Sequence, residues 1–135
     1  MHLDLKPSNI FFNYGDNSVK IGDFGLARKV PFAGDYREGD RTYLAPELLL
    51  TSGENSITCL ADIFSLGLIL LEMVGNVELP ENGPLWTQLR EGAGCLDGLI
   101  MNVPHPVKDF ISSMLHSDTS MRPRAVDLLD HPFLR

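Results

Sequence analysis

Between Cys59 and Val74 the sequence runs apolar for 16 residues, with charge only at Asp62 and Glu72. A bilayer-spanning helix needs about 20 apolar residues, so a segment of this length reads as a buried core helix. Apolar residues fall on nearly every side of it, so other protein must surround it. Ser56 stands where an N-cap would open the helix at Thr58, and Gly75 where a C′ glycine would close it.

The 135 residues suffice for one domain with a real core, not for two. A hydrophobic fraction of 44% and a charged fraction of 21% are ordinary for a soluble globular chain. Eleven basic against 18 acidic residues give a formal charge of −7, which argues against non-specific nucleic-acid binding. No polybasic cluster suited to acidic membranes is present. Cys59 and Cys95 form no disulfide framework and read as reduced intracellular thiols. His2, His105, His116 and His131 are scattered, without metal-ligand spacing. The start Met1-His2-Leu3-Asp4 lacks the basic and apolar regions of a signal peptide. An intracellular location is expected.

Residues 1–9 are loop-like, with Pro7 as a breaker. Ile10-Phe11-Phe12 and Val19-Lys20-Ile21 are short strands either side of a turn-rich Asn13–Ser18, which together predict a β-hairpin. Residues 23–47 are polar and Gly-rich without periodicity, long for a plain connector and so expected to be functional or disordered. Ala45–Leu50 is read as one helical turn. Shorter helices are predicted at Pro84–Arg90, Pro106–Leu115 and Pro123–Leu129. The expected fold class is α+β, mainly helical with a small hairpin.

Three motifs stand in order: His2-Leu3-Asp4-Leu5-Lys6-Pro7-Ser8-Asn9, Asp23-Phe24-Gly25 and Ala45-Pro46-Glu47. Taken singly, Asp4 and Asn9 also read as turn and cap residues, Asp23 as a plain turn and Lys6 as a solvated charge. The ordered set, with a hairpin between the first two motifs, is more specific. Transfer of a γ-phosphoryl group is mostly positioning and charge neutralisation. A carboxylate must orient the incoming hydroxyl and accept its proton, which suits Asp4. A cation offsets charge on the phosphoryl group, which suits Lys6. Mg²⁺ takes hard oxygens from a carboxylate and an amide, which suits Asp23 and Asn9. The hairpin would bring those two together, and Gly25 would give the backbone freedom to turn just after the metal ligand.

These residues resemble the catalytic loop, magnesium loop and activation-segment end of eukaryotic protein kinases, and the likeness runs from residue 1 to 135. The resemblance implies a kinase C-terminal lobe without its N-terminal lobe, with ATP and Mg²⁺ as cofactors held by Lys6, Asn9 and Asp23. It also implies that Asp62 opens the family's buried central helix and that Arg122 pairs with Glu47. Lys6, two residues after Asp4, is similar to the serine/threonine type of catalytic loop.

Glu38-Gly39-Asp40 before Tyr43-Leu44-Ala45-Pro46-Glu47 is similar to the Wee/Myt family. So are Asp62-Ile63-Phe64-Ser65-Leu66-Gly67-Leu68 and Glu78-Leu79-Pro80 followed by Gly83 and Trp86. Pro46 and Ser65-Leu66-Gly67 look closer to its membrane-associated Myt branch. The implied substrate is a Thr-Tyr pair in the glycine-rich loop of a cyclin-dependent kinase. Leu3 stands where the commonest pattern has an arginine that receives an activation-loop phosphate. Leucine makes no such charge-assisted pair, so ordering without that phosphate is expected.

Relative to the family, the sequence opens at the catalytic loop. The Gly-rich loop, the strand lysine with its glutamate, and the helix preceding the catalytic loop are not in it. Losing a helix-sized contact, at roughly 25 cal/mol per Å², rivals a domain's whole ~5–15 kcal/mol of stability. The isolated chain is therefore expected to be unstable or aggregation-prone, and inactive. An active kinase represented in part, an inactive lobe-only binding module or decoy, and a different serine/threonine kinase all stay open. A small-molecule phosphotransferase is the remoter reading, because Ala45-Pro46-Glu47 and the long segment before it point to a protein substrate.

Overall fold

The structure is a computed structural model that describes residues 1–30, 32, 37–49 and 57–135. Its long helix, α1 (Leu60–Gly75), is the expected apolar segment. Residues on several sides of it are buried, among them Ala61, Ile63, Phe64, Leu68, Ile69 and Leu71, so packing rather than amphipathicity holds it.

Both ends of α1 differ from expectation. The proposed cap, Ser56, lies outside the described residues. The helix opens at Leu60 instead, where the Thr58 hydroxyl accepts the Leu60 N–H at 3.3 Å and the Thr58 carbonyl accepts the Ala61 N–H at 3.2 Å. At the other end Gly75 is still helical, and Asn76 takes the left-handed conformation (φ 48°, ψ 45°), its N–H returning to the Glu72 carbonyl. Asparagine tolerates that region. Gly75 serves packing: a Cβ there would stand 3.0 Å from Ile100 Cγ2.

The hairpin forms from β1 (Ile10–Asn13) and β2 (Ser18–Ile21), antiparallel, with Ile10 opposite Ile21 and Asn13 opposite Ser18. Its turn is closed by side chains. Asn13 Oδ1 accepts the Gly15 N–H and Asp16 Oδ1 the Ser18 N–H, both at 3.0 Å, which is how Asn and Asp favour turns.

Next come α2 (Pro84–Glu91), α3 (Leu96–Leu99), α4 (His105–Met114) and α5 (Ala125–Leu128). Prolines open α2 and α4, as their fixed φ allows. The turn predicted at Ala45–Leu50 is a 3₁₀ turn at Pro46–Leu49. Sequence periodicity missed α3, and the last predicted helix is shorter than Pro123–Leu129. The main core gathers Phe64, Leu68 and Leu71 of α1 with Leu3, Leu44, Leu48, Leu89, Ile100, Ile111 and Leu115. A second cluster joins Ile63 to Phe110, Met114 and Leu128. The loop residues 1–9 and the segment 37–49 thus rest on the same helix.

Candidate active site

The N-terminal loop is fixed from α1. Asp62, in the first turn, accepts the backbone N–H of His2 at 2.6 Å and of Leu3 at 2.9 Å. Leu3 is buried and takes φ 68°, a left-handed conformation costing a bulky residue about 1–2 kcal/mol. Its place in the core and the two bonds to one carboxylate offset that cost. His2 Nδ1 accepts the Asp4 N–H at 3.3 Å, so its proton sits on Nε2, which donates to the Gly22 carbonyl at 2.9 Å. The imidazole meets Phe24 edge-on, ring centres 5.3 Å apart.

Asp4 is held by three neighbours. Its Oδ1 accepts the Asp40 N–H at 3.1 Å. Its Oδ2 accepts the Asn9 amide at 3.2 Å and lies 3.3 Å from Lys6 Nζ. Lys6 in turn stands 3.7 Å from the Asp40 carboxylate. The crossing of segment 38–40 over the loop is so close that a Cβ at Gly39 would fall 2.4 Å from the Leu3 carbonyl and 2.9 Å from Asp4 Oδ1. Only glycine fits there without a backbone shift.

Asn9 is buried, and its amide NH₂ also donates to the Asp4 carbonyl at 2.8 Å. That leaves its side-chain carbonyl oxygen as the end offered to a ligand. The hairpin joins Asn9 to the second motif: the Gly22 N–H donates to the Asn9 carbonyl at 2.9 Å, and Asp23 follows. Asp23 is exposed, and it rather than Gly25 takes positive φ, at 61°. The turn expected at the glycine is made at the aspartate, whose Oδ1 accepts the Gly25 N–H at 3.3 Å. Gly25 accommodates the close approach instead, since a Cβ there would lie 3.2 Å from that oxygen.

A carboxylate and one amide oxygen are few ligands, but they are hard oxygens. Mg²⁺ keeps waters and takes substrate phosphates rather than sitting in an all-protein cage. Among the described residues no group of three His, Cys, Asp or Glu could enclose a metal. The donor set of Asn9 and Asp23 therefore fits Mg²⁺ carried with a nucleotide.

Segment 40–47 is braced from behind. Arg122, buried, meets Glu47 in a bidentate pair (2.8 and 3.2 Å) and also donates to the carbonyls of Leu60 and His116. Ser65 Oγ donates to the Tyr43 carbonyl at 2.7 Å, and the Tyr43 hydroxyl donates to Glu72 at 2.7 Å. Burial, and then the Glu72 carboxylate, push the Tyr43 hydroxyl well above its ordinary pKa, so it stays protonated.

Sequence reasoning named Asp4, Lys6, Asn9 and Asp23, and the structure brings the first three into contact. It did not assign work to Asp40 and Gly39, which touch Asp4, nor to Arg90, which grips the neighbouring backbone. The signal for the first two was Glu38-Gly39-Asp40 itself; Arg90 had none.

Asp4 is thus a carboxylate caged by an amide, a lysine and a backbone N–H. The chain belongs to the protein kinase domain family, whose model matches residues 1–134. It is 54% identical over 94 residues to the mitosis inhibitor protein kinase SWE1 of Candida albicans, covering 68% of this chain and 8% of that protein. With the membrane-associated tyrosine- and threonine-specific cdc2-inhibitory kinase of Drosophila melanogaster it shares 39% identity across 100% of this chain and 25% of that protein. The like-named wee-1.3 of Caenorhabditis elegans is 39% identical over 100% of this chain and 20% of its own length. The chain thus spans a quarter or less of these relatives. No described helix is long and apolar enough to cross a membrane.

Proposed function

We propose that this chain carries the catalytic loop, metal ligands and substrate-facing segment of a protein kinase that phosphorylates a cyclin-dependent kinase to hold back the cell cycle. The observation that carries this reading is the fixed carboxylate of Asp4. Asp40 N–H and the Asn9 amide orient it, and Lys6 stands 3.3 Å away. In that role Asp4 orients the substrate hydroxyl and accepts its proton. Lys6 faces the transferred phosphoryl group, while Asn9 and Asp23 hold Mg²⁺ bound with ATP. The metal neutralises phosphate charge; the protein residues supply position. Glu47, Asp62, Arg122 and Gly25 are structural in this reading.

The finer assignment, to the Myt branch, rests on Pro46 and Ser65-Leu66-Gly67. It is supported by two relatives named as tyrosine- and threonine-specific that align over the whole chain. The test is the full-length protein with Mg²⁺, ATP and a cyclin-dependent-kinase peptide containing the Thr-Tyr pair, wild type against Asp4→Asn. Removing a general base of this kind is expected to lower kcat by about 10²–10⁴-fold. Equal rates would sink the role of Asp4. Transfer to other proteins but not to this peptide would sink the substrate assignment. Phosphate on both threonine and tyrosine supports the Myt branch, and phosphate on tyrosine alone opposes it.

A further inference from the structure

Four successive backbone carbonyls, Arg41 to Leu44, each accept a side-chain donor. Arg41 O accepts Trp86 Nε1 at 2.9 Å and Arg90 Nη2 at 3.1 Å. Thr42 O accepts Arg90 Nη2 at 3.0 Å, Tyr43 O accepts Ser65 Oγ at 2.7 Å and Leu44 O accepts Arg90 Nε at 2.9 Å. The segment belongs to no helix or strand, so these bonds replace the ladder that buried backbone otherwise requires. Arg90 supplies three of the four from one planar fork, its Nη1 turning back to the Trp86 carbonyl at 2.9 Å.

Arg90 is an expensive choice for mere packing. It is buried at 6% exposure, and among the described residues no carboxylate pairs with it. Carbonyl dipoles and two aromatic faces stabilise its charge instead: Trp86 at 3.9 Å and Phe64 at 5.8 Å. Burial, with Arg41 nearby, lowers its pKa to about 10, which leaves it charged at neutral pH. The same stack continues outward to Arg41 over Trp86 and inward to Arg122 over Phe64.

What the fork holds leads to Asp4 by an unbroken path. The Thr42 carbonyl is on Arg90, the Thr42 N–H donates to Asp40 Oδ1 at 3.1 Å, and the Asp40 N–H donates to Asp4 Oδ1 at 3.1 Å. We propose that Arg90, backed by Trp86, is a positioning residue that sets the backbone of Arg41–Leu44 and, through Asp40, the orientation of Asp4. This rests on the reading of Asp4 as the group that handles the substrate hydroxyl. Lysine cannot substitute, because a single ammonium has no planar fork to reach Leu44, Thr42 and Arg41 together.

The test compares wild type, Arg90→Lys, Arg90→Met and Trp86→Phe in the full-length protein, with three readouts: steady-state transfer, thermal melting and amide hydrogen exchange. Arg90→Lys and Arg90→Met are expected to lower kcat at least about tenfold while KM for ATP stays within about twofold. Exchange should quicken at the amides of Asp40, Thr42 and Tyr43 and stay unchanged along α1. Trp86→Phe keeps a stacking face but drops one donor, and should give a smaller loss of the same kind. Wild-type kcat in Arg90→Lys overturns the proposal, as does exchange that quickens equally through α1, the mark of general destabilisation. If wild type transfers no phosphate, the kinase reading fails, while exchange confined to residues 40–43 still supports the clamp and its absence overturns it.

Discussion

Arg122 has no exposed side-chain surface, and Glu47 opposite it is 13% exposed. Breaking one half of such a pair leaves a charge in low dielectric, at a cost of about 3–5 kcal/mol. Glu47→Gln is therefore expected to lower the unfolding free energy from urea titration by that much at pH 7; a change below about 1 kcal/mol would show that the remaining carbonyl partners satisfy the guanidinium. This pair joins residues 75 apart in sequence, and no spacing rule points to it. It was legible only through resemblance, as was Asp62. Asp4, Lys6 and Asn9, which the structure brings into contact, could be picked out together with Asp23 because the proposed chemistry limits which side chains serve. Gly25 misled for a physical reason: an Asx turn lets aspartate occupy positive φ, so the adjacent glycine need not.

Among elements, α1 was the most readable, since a mostly apolar stretch of 16 residues leaves few alternatives to a buried helix. Its ends were not, because a cap depends on which group the neighbouring chain presents: the helix opens at Leu60 rather than Thr58, and Asn76 does the work given to Gly75. A four-residue helix such as α3 shows no period at all. Segment 37–47 falls in the 23–47 stretch read as functional or disordered, and its conformation was not readable, since its carbonyls are held by side chains from α1 and α2. Its order has a consequence. Thr42 is 8% exposed and the Tyr43 hydroxyl is taken by Glu72, so a phosphate on Tyr43 would meet like charge. Leu3, where a phosphate-receiving arginine would stand, lies in the core. Phosphatase treatment of the full-length protein is expected to leave activity within about twofold of the untreated enzyme; a collapse, restored by phosphate on Thr42 or Tyr43, would overturn that.

At the scale of the molecule, apolar surface remains uncovered. Phe11, Phe12, Val19 and Ile21 of the hairpin are each about half exposed, and Phe24 is 65% exposed. A groove of about 800 Å³ runs beside it, lined by Met1, Ile21, Phe24, Cys59, Ile63 and Leu66. Contiguous apolar surface of this kind promotes association. The 135-residue chain on its own is expected to bind a hydrophobic dye and to aggregate with rising concentration; a dye-silent, monomeric chain with a cooperative melt would refute this. The sequence could announce this exposure only by comparison with a family, because apolar content does not say which surfaces meet.

The stack of Arg41, Trp86, Arg90, Phe64 and Arg122 alternates cation with ring. Alternation makes the order of substitution matter. With Arg90 lost first, the carbonyls of Arg41, Thr42 and Leu44 lose a shared donor that no aliphatic side chain replaces, and that intermediate is the poorer one. With Trp86 exchanged first for another ring, the guanidinium keeps a face and all three carbonyls. A lineage under selection would therefore take the change at position 86 before the one at position 90, and find the reverse order closed.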